Sequence, residues 1–192
     1  MRLSSDSPDT LLVEHMHGRT NKKGQFVLAM EQPANDPDAL FQEAQAAEEA
    51  QDWDNAERLY SLVIKTDLAD AVAAFNLANV LRAQNKFIEA EAAYRLAVER
   101  DRSFAEAWYN FADLLDDQRR TQEAIRCLER AIKADPEYAD AVFNLALLLQ
   151  RLERLNDAAS QWKRYLEIDR ASAWALRAKR ALKYCEMQIA LA

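Results

Sequence analysis

The chain repeats itself every 34 residues, and no other property of the sequence restricts its fold as tightly. Four windows, 37–70, 71–104, 105–138 and 139–172, follow one another without a gap. Their eighth places hold Ala44, Ala78, Ala112 and Ala146, and their twentieth places hold Ala56, Ala90, Ala124 and Ala158. A residue that is small in every copy marks a close approach of two helices, because a longer side chain would hold the backbones apart. Around these columns bulky apolar residues recur: Leu77, Phe111 and Leu145 at the seventh place, Leu81, Leu115 and Leu149 at the eleventh, Tyr60, Tyr94, Leu128 and Trp162 at the twenty-fourth. Spacings of three and four are the inward stripe of an amphipathic helix, so each window reads as two helices joined by a tight turn. Neither helix has a face wide enough to make a core alone, and each hairpin must stack on its neighbours. Asp67, Asp101, Asp135 and Asp169 recur at the thirty-first place, where the chain is expected to leave one helix and cap the next.

Composition agrees with a nearly all-helical chain: among 192 residues there are two glycines and four prolines, while half of the residues are apolar. Cys127 and Cys185 sit inside helical patterns without metal-ligand spacing, so neither a disulfide nor a zinc site is expected, and a reducing compartment fits. No apolar run reaches the roughly 18 residues of a membrane span, and the Met1 end lacks the apolar stretch of a signal peptide. These features predict a soluble cytoplasmic protein with no membrane partner. A formal charge of −7 opposes non-specific binding of nucleic acid, which needs a basic stripe against the phosphates. Catalysis would require a nucleophile with its base, facing carboxylates, a metal or a phosphate loop. The windows offer none of these, and His15 and His17 stand alone in the first 36 residues. The reading is a protein that is not an enzyme and needs no cofactor and no metal.

Trp108-x-x-Phe111-Ala112-x-x-Leu115, followed by Ala124-x-x-x-Leu128 and Pro136, resembles the tetratricopeptide repeat, with alanine where that family often has glycine. The resemblance implies an all-α fold, a right-handed superhelix (α-solenoid) of four hairpins, with the first helix of each repeat lining a concave surface. Departures fall at the ends: Glu43 replaces an apolar residue at the seventh place of the first window, and Tyr165 a small one at the twenty-seventh of the last. Residues 173–192 are expected to form a capping helix. Its Trp174, Ala178, Ala181, Leu182, Cys185 and Ile189 would cover the fourth repeat, with Arg177, Lys179, Arg180 and Lys183 solvated. Residues 1–36 carry both glycines and no 34-residue pattern, and are expected to be a mobile leader; the alternative is a short hairpin of "TLLVEHM" and "QFVLAM" about the polar "HGRTNKKG". "GQFVLAM" resembles the segment ahead of the repeats in some bacterial regulators that carry an upstream DNA-binding domain.

In the family, the second, fifth, sixth, ninth, twelfth and thirteenth places face the groove. The fifth place here gives Phe41, Phe75, Tyr109 and Phe143, and the sixth gives Gln42, Asn76, Asn110 and Asn144. Asn79 and Asp113 stand at the ninth place, Arg82 at the twelfth, Asp117 and Arg151 at the thirteenth. The sixth column resembles the asparagine ladder in the repeats of O-linked N-acetylglucosamine transferase, where amides hold a peptide backbone; an amide donates and accepts at once. Asparagine at this place also serves packing between hairpins, and the aromatic rings can lie in groove or core. The family's clamp for chaperone C-termini needs basic groove residues, whereas Asp38, Glu106 and Asp140 occupy the second place.

The expected function is an adaptor binding an extended peptide or helix of a partner protein. A structural or assembly subunit using the outer face or the ends of the array is the alternative. Windows 37–172 hold 26 acidic and 17 basic residues, a net of −9, so the expected ligand is basic and partly apolar. Asp38, Glu48, Glu49, Glu106, Asp113, Asp116, Asp117 and Asp140 supply much of that acid at groove places, opposed there by Arg82 and Arg151.

Overall fold

The computed structural model describes residues 19–20, 26–27, 36–66 and 70–191. Ahead of the repeats, β1 (Arg19–Thr20) and β2 (Phe26–Val27) pair antiparallel, Arg19 opposite Val27 and Thr20 opposite Phe26. β1 falls within the polar "HGRTNKKG" and β2 within "QFVLAM", whereas "TLLVEHM" lies outside the described residues. The remaining residues before Asp36, the two histidines among them, lie outside the described residues.

From Pro37 the described chain is helical. The first two repeats are α1 (Pro37–Glu49) with α2 (Trp53–Thr66) and α3 (Ala71–Ala83) with α4 (Phe87–Arg100). The next two are α5 (Ala105–Asp117) with α6 (Thr121–Ala134) and α7 (Ala139–Arg151) with α8 (Leu155–Ile168). A single longer helix, α9 (Ala173–Leu191), follows and packs on α8. Among the described residues no helix is long and apolar enough to cross a membrane. The small-residue columns lie where the period puts them: all eight alanines are buried, seven of them with no exposed surface. Tyr60, Tyr94, Leu128 and Trp162 fill the space the alanines leave, each at most 2% exposed. One continuous core runs from α3 to α9, and a smaller one joins α1 and α2 to Ala73 and Val80.

Each hairpin turns by the same backbone device. The amide at the sixteenth place donates to the carbonyl at the eleventh: Asp52 to Ala47, Lys86 to Leu81, Arg120 to Leu115 and Arg154 to Leu149, all at 2.9 or 3.0 Å. The residue between, at the fifteenth place, takes a left-handed conformation, with φ of 58° at Gln51, 60° at Asn85, 65° at Arg119 and 58° at Glu153. This is the Schellman cap, which normally selects glycine. A left-handed non-glycine residue costs about 1–2 kcal/mol, while glycine's greater unfolded freedom returns about 0.4–1 kcal/mol. Arg119→Gly is thus expected to stabilise the chain by about 0.5 kcal/mol, read as a rise in the urea midpoint at constant slope. Asn85→Gly should gain less, because asparagine tolerates this conformation. A lower midpoint for Arg119→Gly would show that its side chain contributes more than the backbone conformation costs.

Asp67 lies outside the described residues, and the other three thirty-first-place aspartates act differently from expectation. Asp101, Asp135 and Asp169 accept from the backbone amide two residues on, at Ser103 (2.8 Å), Glu137 (2.9 Å) and Ala171 (3.2 Å), and so shape the loop. They do not cap the next helix. The N-cap stands at the thirty-fourth place, where the Asp70 side chain accepts from Ala73 and the Ser172 hydroxyl from Trp174 and Ala175. Hydrogen bonds from Ser172 hold the Asp169 carboxyl down at about 2. Phe104 and Tyr138 fill the same place without a side-chain cap.

The capping helix is rotated slightly from the expected register. Ala175, Ala178 and Cys185 are fully buried, with Ala181, Leu182 and Ile189 beside them, whereas Trp174 is 51% exposed. Its ring stands edge-on to Phe143 at 5.2 Å, with the Arg177 guanidinium over it at 4.5 Å. Both cysteines are buried and free.

Candidate peptide-binding face

Side chains of α3, α5 and α7 are tied together from one repeat to the next along a single strip. Arg82 on α3 reaches across to α5, donating to Asp113 at 2.6 Å and Asp117 at 2.8 Å. On α7, Arg151 reaches back to Asp116 and to the Thr121 hydroxyl at 3.0 Å. These pairs span 30 to 35 residues of sequence, about one repeat each. Three of the carboxylates expected to attract a basic ligand therefore already hold internal cations, which cancels most of their field at the centre of the strip. Glu106 and Asp140 remain exposed, with neither an ion pair nor a hydrogen bond.

The asparagines are bonded between hairpins. Asn76 Nδ2 donates to the Tyr60 hydroxyl at 3.2 Å, Asn144 Nδ2 to the Tyr109 hydroxyl at 3.1 Å, and Asn110 Nδ2 to Asn79 Oδ1 at 3.5 Å. Tyr94 also donates to Asn79 Oδ1, at 2.5 Å. Burial pushes Tyr94 up to about 12 and raises Tyr60 and Tyr109 as well, which extends the pH range over which these phenols stay neutral. Tyr60 donates in turn to Glu48 at 2.7 Å. Each of Asn76, Asn110 and Asn144 spends one of its two amide hydrogens in this way, and its carbonyl oxygen carries no bond. Half-buried amides with this capacity left recur along the strip. Gln42, in the first repeat, is exposed.

The fifth-place rings divide. Phe75 and Phe143 are under a tenth exposed and belong to the core, so a ligand finds little surface on either. Phe75 is covered by Phe104 at 4.9 Å, and Phe143 by Trp162, Tyr165 and Trp174 at 4.8 to 5.2 Å. Tyr109 is half-buried against Tyr138 at 5.2 Å, and Phe41 is half-buried against Tyr60 at 5.7 Å. Two apolar residues not singled out from the sequence are open: Val72 at the second place and Leu147 at the ninth, each 46% exposed. The signal was present, since both interrupt otherwise polar columns.

A stack of helical hairpins bridged along its first helices is a repeat protein of the α-solenoid class. The chain belongs to the tetratricopeptide repeat family, whose model matches residues 41–106 and 109–173. No curated protein matches the sequence. Among solved structures it is similar to MamA, at 22% identity, covering 81% of this chain and 83% of that one, with a TM-score of 0.70. It is also similar to YrrB, described as a TPR protein with an unusual peptide-binding site (19% identity, 83% and 81% covered, TM-score 0.69). A third likeness is to the first TPR of Spaghetti (RPAP3), solved with the HSP90 peptide SRMEEVD (23% identity, 61% and 93% covered, TM-score 0.57). At such identities the likeness is one of fold. Proteins of this family generally mediate protein–protein interactions and are typically not enzymes.

Proposed function

We propose that this chain is an adaptor that holds an extended segment of a partner protein along the strip shared by α3, α5 and α7. The observation that carries the reading is the row Asn76, Asn110 and Asn144, half-buried, fixed in orientation by one bond each and left with unused donor and acceptor atoms. Preset amides lose little entropy on binding a peptide backbone whatever its side chains. Val72 and Leu147 supply apolar contacts at either end of the strip. A ligand lysine or arginine is drawn to Glu106 and Asp140, which flank the Tyr109–Tyr138 pair, rather than to the aspartates already held by Arg82 and Arg151. The preferred ligand is thus basic and partly apolar, with its charge confined to one part of the segment.

A panel of extended fluorescent peptides, matched in length and varied in charge and apolar content, tests this on the full chain by anisotropy. Basic apolar peptides are expected to bind best, about tenfold more weakly to Asn110→Ala/Asn144→Ala, and several-fold more weakly to Glu106→Gln/Asp140→Asn at low salt. Asp113→Asn should change affinity little. Uniform affinity across the panel, or losses confined to Asp113→Asn, would overturn the proposal.

A further inference from the structure

A cavity among the described residues lies away from the proposed peptide strip. It is open, holds about 640 Å³, and is built by the end of α4, the α4–α5 loop, Trp108 of α5 and the last turn of α6. Arg102, Arg130 and Lys133 line it from two separate elements, against one carboxylate, Glu99. All three side chains are exposed, and among the described residues none of the three makes a side-chain hydrogen bond or ion pair. By contrast, Arg82, Arg120, Arg151, Arg154, Lys86 and Lys163 each meet a carboxylate. In a chain of 32 acidic and 25 basic residues, three unengaged cations around one cavity are a local reversal of sign. The reversal extends along α6. Arg126, also exposed and without a side-chain hydrogen bond or ion pair among the described residues, lines an adjoining cavity that shares Trp108 and Arg130 with the first and whose one carboxylate, Glu123, is already held by Arg120. Arg126, Arg130 and Lys133 are four and three residues apart, so they share one face of α6 over about 10 Å.

Trp108 gives the cavity an apolar wall of fixed orientation, because its Nε1 donates to the Arg102 carbonyl at 3.1 Å. A cationic row beside a half-buried indole matches an anionic chain that also has an apolar side chain to place. We propose that this cavity is a second binding site, which takes an acidic, partly apolar peptide segment of a partner protein. Its carboxylates would meet Arg102, Arg126, Arg130 and Lys133, and its apolar residue would rest on Trp108. Opposite-sign faces on one adaptor let it engage two chains of different charge without competition between them. The basic side of α9, with Arg180 and Lys183, is another exposed cationic surface, but it is a single helix face.

The test uses the full chain and a synthetic helical peptide carrying glutamates at the α6 spacing and one leucine, followed by anisotropy at low and moderate salt. Arg130→Glu/Lys133→Glu is expected to weaken binding at least tenfold, and Arg180→Glu/Lys183→Glu less than twofold. Asn110→Ala/Asn144→Ala, which probes the amide strip, should leave this peptide's affinity unchanged. All these positions are at least partly exposed, and unchanged far-UV circular dichroism would show that the variants remain folded. Equal losses from the two charge-reversed pairs, no measurable binding by the wild type, or tighter binding of duplex DNA than of the peptide would each overturn the proposal.

Discussion

Trp162→Ala is expected to cost about 3–5 kcal/mol, among the largest effects of any single substitution in the chain. Trp162 is 1% exposed at the junction of α7, α8 and α9, with its ring 4.8 Å from Phe143 and its Nε1 donating to Gln150 Oε1 at 3.0 Å. Cys185 of α9 donates to the same oxygen, at 3.6 Å. Truncation therefore opens a cavity and also removes the stronger of two donors from a half-buried amide oxygen. Trp162→Phe is the milder change: it keeps a ring against Phe143 but loses the donor and part of the buried volume, for an expected loss of about 1–3 kcal/mol. Urea unfolding followed by far-UV circular dichroism avoids dependence on the deleted fluorophore. A loss below about 1 kcal/mol for the alanine variant would mean that α9 and the fourth repeat are not joined through this residue.

Leu115→Ala should cost about 2–5 kcal/mol, through a different route. Leu115 is 1% exposed in the middle of the continuous core and makes no polar contribution, so the loss is packing and transfer alone. Its neighbours Ala112, Ala124 and Leu128 belong to a rigid crossing of α5 and α6 and cannot close the gap without moving both helices. Because each repeat is stabilised mainly by its neighbours, the effect should appear as a lower midpoint of the whole array rather than a separate early transition. A loss below about 0.5 kcal/mol would show that the inward stripe is not where stability resides.

The fold was legible wherever one residue answers one geometric demand. Ala78 or Ala124 is small because two backbones meet there, and that demand recurs every 34 residues whatever surrounds it. The candidate site was less legible because its columns answer several demands at once. Phenylalanine at the fifth place is core in Phe75 because Phe104 covers it, while Tyr109 is left partly open beside Tyr138. The covering residue, at the thirty-fourth place, follows no column: it is Asp70, Phe104, Tyr138 and Ser172 in turn. The ion pairs were hidden for another reason. Arg82 with Asp113 and Asp117, and Arg151 with Asp116, are one repeat apart in sequence, and which places of adjacent first helices face each other depends on the angle between hairpins. A column of acids looks free until that angle is known. The exchange of Trp174 for Ala175 in the buried row of α9 has the same origin, since that helix has no second helix of its own to fix its rotation.

The thin burial of α1 gives the array a direction. Only Ala44 and Ala47 of that helix are buried, whereas α7 buries seven residues from Ala141 to Leu149. A linear array held together by nearest-neighbour contacts does not open uniformly when its ends differ; it opens from the end where least is lost, and the boundary between open and closed then advances one hairpin at a time. In this chain the α1 end is loose, and the far end is locked by α9 through Gln150 and Trp162. Tension applied through a partner thus has unequal consequences at the two ends: a pull near α1 peels hairpins in sequence, whereas a pull at α9 must first break the junction of Trp162, Gln150 and Cys185.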